Sequence, residues 1–251
     1  MATRTAAKIE PRSGQRRSVS VRGSTGTDIG LTANESARIV RAIRPTFADI
    51  VAKFDVNKYP ADVYERVRAA FSNPGQVSGD VLRDALLWKY GHLRKSGRIP
   101  QTHRRLIRDL QGKWSSLVQD LPLSPDLAFR LLKTRFGGST RFITVAFIVH
   151  LLHQDQIPII DQHNFRAVNA LIRGVRPSWS GKKRPSQFED ILLVAAFVAS
   201  IIAGWRQQDA ATCPTPRSID QFLMVYGKKL KTRHNKHLQP SAAGVIMSRR
   251  G

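Results

Sequence analysis

Ile159-Ile160-Asp161-Gln162-His163-Asn164-Phe165-Arg166-Ala167-Val168-Asn169 follows an apolar helical stretch, Arg141 to Leu152, and a short linker, Gln154 to Ile160, that holds Pro158. Before that stretch, Gly137-Gly138-Ser139-Thr140 reads as a tight hairpin. The hairpin is entered from a helix that Ser124 caps and Pro125 opens, running to about Phe136. Helix, glycine turn, apolar helix and a further helix with an acid at its mouth make an all-α reading. Asp161 is then either a catalyst or the N-cap of that last helix, and the two roles are compatible.

The rest of the chain reads the same way. Thr32 or Asn34 caps a helix through Ile43, and Pro45 interrupts it. Pro60 starts another, with Val63, Val67 and Phe71 in one stripe. Ser78 caps a helix from Val81 to about Leu93, with Leu82, Leu86 and Tyr90 on one face. A basic helix from Arg98 to Gln111 continues its apolar face through Trp114, Leu117 and Leu121. Gln162 to Ile172, Phe188 to Gln207 and Ser218 to Lys231 complete the helices, with a basic loop from Gly174 to Pro185 between the first two. No alternating strand pattern and no internal repeat stands out.

Composition bounds the function. The 251 residues are 41% hydrophobic, enough for a sizeable core, and the net charge is +23. A pI near 11.3 draws polyanions, with nucleic acid the first candidate and an anionic membrane surface the second. The single cysteine, Cys213, excludes an internal disulfide, a cysteine-rich zinc site and a cysteine-ligated iron–sulfur cluster, and suits a reducing cytoplasm (beside the nucleoid in a bacterium). The apolar run Ile191 to Gly204, broken by Ser200, reads as a buried helix too short to span a bilayer. No secretory signal is expected at the Arg-, Ser- and Thr-rich N-terminus.

The segment 124–169 resembles the helix-hairpin-helix DNA glycosylase superfamily (HhH-GPD), which includes endonuclease III. The resemblance rests on the hairpin, the apolar helix and the register of Ile159, Ile160, Asp161, His163, Phe165, Arg166 and Asn169. It covers about 50 residues; beyond them the chain agrees only in being helical and basic. It implies a two-lobed all-α helix-hairpin-helix glycosylase-like fold with basic flexible termini. It also implies base flipping and base excision, in DNA repair or in defence against modified foreign DNA. Asp161 takes the place of the family's catalytic aspartate. Its carboxylate would stabilise oxocarbenium-like charge on the sugar and orient or deprotonate water. Gly137, Gly138, Ser139, Thr140 and Arg141 would hold the DNA backbone, although the family's usual Gly-x-Gly is here Gly-Gly-Ser-Thr. Members that also cut the strand carry a Schiff-base lysine on the helix after the hairpin. That region here reads Thr140-Arg141-Phe142-Ile143-Thr144, so the expectation is a monofunctional hydrolase without lyase activity.

Other groups carry two readings each. Trp88, Tyr90 and His92 suit base stacking in a pocket or plain core packing; just after the acid, Gln162 suits the same pocket or the surface, and His163 suits the pocket, with proton transfer, or structural packing beside it. Trp179 with Lys182, Lys183 and Arg184 suits a DNA-contacting loop. Arg166 reads as an ion-pair or phosphate partner, and His150 with His153 as a core or edge pair rather than a metal site. The expected organisation is a basic arm at 1–33 and an N-terminal helical lobe at 34–119. A helix-hairpin-helix lobe at 120–185 follows, then C-terminal helices at 186–232 packing back on the N-terminal lobe, and a basic tail at 233–251. The expected partner is double-stranded DNA holding a damaged or modified base, bound by a monomer that needs no cofactor and no membrane. The competing reading is a noncatalytic helix-hairpin-helix DNA-binding protein.

Overall fold

The computed structural model describes residues 30–93, 99–137 and 141–237, and all regular structure among them is helical. The helices are α1 (Ala33–Ile43), α2 (Phe47–Val51), α3 (Ala61–Ala70), α4 (Gly79–Tyr90) and α5 (Gln101–Gln119). They continue with α6 (Pro125–Leu132), α7 (Phe142–Leu152), α8 (Gln162–Val175), α9 (Phe188–Gln208) and α10 (Pro216–His237). Local chemistry sets several starts. Thr32 and Glu35 form a reciprocal capping box on α1, and the Ser78 hydroxyl accepts from Val81 N on α4. Ser124 occupies the cap position of α6 without a side-chain bond, and Pro125 sets the first turn.

The expected α-helix to Phe136 ends early. After Leu132 the chain widens into a π-helical turn, Lys133–Gly137, which buries Phe136. Arg141 closes that turn by donating to the Phe136 carbonyl at 2.8 Å while pairing with Asp109 of α5. Gly138, Ser139 and Thr140, the centre of the expected backbone-binding hairpin, lie outside the described residues, as do the basic arm at 1–29 and the tail beyond 237.

One continuous core joins every helix. α8 packs most extensively on α10, α1 crosses α9, and α3 pairs with α4. α10 also reaches α2, so the C-terminal helix returns to the N-terminal part of the chain. Arg176, just past α8, grips Glu35 of α1 through two 2.8 Å bonds. That pairing holds the Glu35 carboxyl down at about 2. α9 is 21 residues long and, by length and composition, apolar enough to cross a membrane, which corrects the expectation that its apolar run is too short to span one. Its Ile191, Val194, Phe197, Ile201 and Trp205 are nevertheless buried in the core.

Candidate functional site around Asp161

Ile160 is fully buried and fixes the chain as it enters α8. Asp161 follows in extended conformation and caps the helix. Its Oδ1 accepts from His163 N at 2.6 Å and Asn164 N at 2.9 Å, while its own N–H donates to Asn164 Oδ1 at 2.6 Å. The cap is therefore real, and such a cap contributes about 1 kcal/mol. Both of its bonds fall on one carboxylate oxygen. The cap makes no use of Oδ2.

Asn164 ties this mouth together. Its buried amide donates to Ile159 O at 2.7 Å and to Oδ1 of Asp220, from α10, at 3.0 Å. From α4, the Lys89 ammonium donates to Ile160 O at 3.0 Å and lies 5.3 Å from the Phe147 ring centroid. Tyr59, in the segment before α3, is buried with Lys58 and Lys228 over its ring at 5.4 and 5.8 Å. Lys89 and Asp220 are each only partly exposed, with protein packed closely around both.

The electrostatics follow from that enclosure. Burial pushes the Lys89 amine down, and Asp161 and Asp220 pull against it. Burial pushes the Asp220 carboxyl up to about 7, and the Asp161 charge adds to it against Asn164, Lys89 and Arg217. Burial first and the Asp161 charge second raise the Tyr59 phenol to about 12. Burial lowers Lys228, with Lys58 adding to the effect. Titratable groups with shifts of such different sign, gathered from four segments, mark a functional-site candidate.

The α8–α10 contact makes this gathering possible. A Cβ at Gly227 would stand 1.9 Å from His163 O, so the two backbones meet where only glycine fits. Arg166 crosses the same junction, donating to Gly227 O at 3.1 Å and approaching His163 Nδ1 at 3.3 Å. It serves as an interhelical tie. Burial lowers the half-buried His163 imidazole. Gln162 is exposed.

The other expected site residues sit elsewhere. Trp88 is buried, donates to Pro60 O at 2.9 Å and stacks on Phe147, which makes it core. Tyr90 bonds Thr144 at 2.8 Å and stacks on His103, which meets His92 at 3.0 Å, forming a separate cluster. His150 is buried and neutral, donating from Nδ1 to Ile157 O and accepting from the Tyr64 hydroxyl, with burial pulling it down to about 4. Among the described residues no three His, Cys, Asp or Glu side chains gather as a metal site.

The loop after α8 is built rather than loose. Trp179 donates to Asn169 Oδ1 at 2.8 Å, and a Cβ at Gly181 would stand 1.6 Å from that oxygen. Buried Asp190 accepts from Ser186 N and Gln187 N and pairs with Lys182 at 3.1 Å. Lys182 is thus engaged internally, while Lys183 and Arg184 are exposed on a fixed support.

Four contributors were missed from sequence: Tyr59, Lys89, Asp220 and Lys228. Two left a signal. Lys89 interrupts the run Leu86-Leu87-Trp88, and Asp220 stands among Ile219, Phe222 and Leu223. A lone charge on an apolar face must be satisfied or used. No family model, no curated protein and no solved structure matches this chain.

Proposed function

We propose that this protein is a monofunctional DNA glycosylase with a helix-hairpin-helix glycosylase-like fold, hydrolysing the bond between deoxyribose and a damaged or modified base. One observation carries the reading. The Asp161 carboxylate is held at the mouth of α8 by one oxygen, beside an enclosed set of Lys89, Asp220 and Tyr59. Among partly buried groups, where the dielectric is lower than in water, a carboxylate stabilises positive charge on a sugar more strongly. The free oxygen is suited to orient the attacking water. The +23 charge draws duplex DNA to the protein, and exposed Lys183 and Arg184 are suited to its phosphates.

Mass spectrometry of free bases released from a panel of modified duplexes tests this directly. Release by the intact protein, lost in Asp161→Asn with DNA binding retained, is the expected result. No release from any duplex overturns it. The completeness of the Asp161 capping box favours a second reading, a noncatalytic DNA-binding protein in which that residue only starts α8. In that case Asp161→Asn loses stability and no base is ever released.

A further inference from the structure

We propose that Asp220 is the general acid of this site, passing a proton to the departing base while Asp161 stays ionised toward the sugar. The inference rests on the glycosylase reading and assigns the step that reading leaves open. When the C1′–N bond breaks, its electron pair goes to the base. A neutral base leaves poorly as an anion, so a proton delivered to it lowers the barrier. Asp161 cannot both supply that proton and stabilise positive charge.

The geometry divides the work. Asp161 accepts two backbone N–H bonds on one carboxylate oxygen at the mouth of α8. Asp220 sits a full turn inside α10 and receives one donor, the neutral amide of Asn164. The same amide group accepts from Asp161 N through Oδ1, so Asn164 bridges the two acids. Two electrostatically coupled carboxylates disfavour double ionisation, and the one that accepts fewer hydrogen bonds keeps its proton.

Lys89 comes from α4 and Arg217 from Asp220's own helix, and both favour the Asp220 charge. Arg217 is shared with Glu65 at 2.9 Å and lies over the Tyr64 ring. Tyr64, from α3, is itself raised to about 12 by burial, with Asp220 contributing. Burial and the Asp161 charge outweigh the two cations and push the Asp220 carboxyl up to about 7, so it is about half protonated there and increasingly protonated below.

The step balances. The Asp220 proton goes to the base, and water oxygen bonds to C1′. The water proton passes to Asp161, and solvent exchange returns it to Asp220. The products are free base and a sugar hydroxyl, at the expense of one water.

The test is single-turnover base release between pH 5 and 9, on the modified duplex that the intact protein processes best. The intact protein should slow about tenfold per pH unit above about pH 7. Asp220→Asn should be at least about 100-fold slower at pH 6 and lose that alkaline fall. Asp161→Asn should be slow with the fall retained. Asp220→Asn within threefold of the intact protein, or with the same alkaline fall, overturns the proposal. Infrared difference spectroscopy is independent of activity. A protonated-carboxyl band at pH 6, absent in Asp220→Asn, is expected, and its absence from the intact protein also overturns the proposal. If the intact protein shows that band but releases no base, the glycosylase reading fails and the assignment of catalysis fails with it.

Discussion

Gly227→Ala tests how the site is assembled. The added methyl would meet His163 O at 1.9 Å, the His163 carbonyl carbon at 2.6 Å and its Cα at 3.0 Å. All three are backbone atoms of the first turn of α8, so no side chain can rotate away. Carbon contacts settle at about 3.5 Å, which requires the helices to part by roughly 1 Å or more. Overpacking of this kind costs about 1–3 kcal/mol, and the helix-propensity gain of alanine returns up to about 1 kcal/mol. A net loss of about 2 kcal/mol corresponds to a melting point lower by roughly 4–8 °C in a chain of this size. The separation also moves Asp220, seven residues earlier on the same face of α10, away from Asn164, so base release should fall at temperatures where the fold persists. Gly174→Ala on α8 is the control. Its methyl meets nothing within 4 Å, and the change should stabilise by about 0.5–1 kcal/mol. Differential scanning calorimetry reads both. Gly227→Ala melting at or above the unaltered protein would refute the close-approach argument.

Asn164→Ala leaves Asp220, the Asp161 N–H and Ile159 O without their shared partner, and urea unfolding should show a loss of about 2–4 kcal/mol. The unfolded chain releases the Asp220 proton near its ordinary 3.8 while the folded protein holds it to about 7, so this residue makes stability fall as pH rises from about 4 to 7. Asp220→Asn should therefore raise stability at pH 8, by an amount on the order of 2 kcal/mol, and change little at pH 4. His150 has the opposite sign. Neutral in the fold down to about 4 and protonated in the unfolded chain below 6.5, it makes stability fall as pH drops through that window, a slope that His150→Gln should remove in pH-dependent melts. Lys183→Gln with Arg184→Gln should leave melting unchanged, weaken duplex binding and flatten the salt dependence of log K by about 1–2, read by fluorescence anisotropy.

The helix starts were legible because caps are local chemistry. Thr32 with Glu35, Ser78 and Asp161 each satisfy backbone N–H groups two or three residues away. Apolar stripes such as Leu82 and Leu86 were legible for the same reason, since periodicity places them on one face. Of the candidate site, the sequence pointed to Asp161 with its neighbours Gln162 and His163. On α4 the expectation fell on Trp88, Tyr90 and His92, while Lys89 is the residue that reaches Ile160. Successive helical residues differ by about 100°, so composition of the run could not say which one faces the acid. Asp220 and Lys228 arrive through the packing of α10 on α8, a long-range choice that local pattern does not encode. The π-turn at Lys133–Gly137 was invisible too, because its closing partner, Asp109 with Arg141, joins α5 to the start of α7.

The crossing of α10 over α8 has a consequence for synthesis. Tyr59, Lys89 and Asp161 precede Asp220 in the chain, and 59 residues separate the two acids. At roughly 5–20 residues per second, several seconds pass on the ribosome between them. Through that interval the nascent protein already carries Lys58, Lys89 and its first carboxylate but neither Asp220 nor Lys228. The last helix thus acts as a completion step. On the proposed mechanism, a product cut short before residue 216 would lack the acid that finishes the reaction, together with the core side chains Ile219, Phe222 and Leu223.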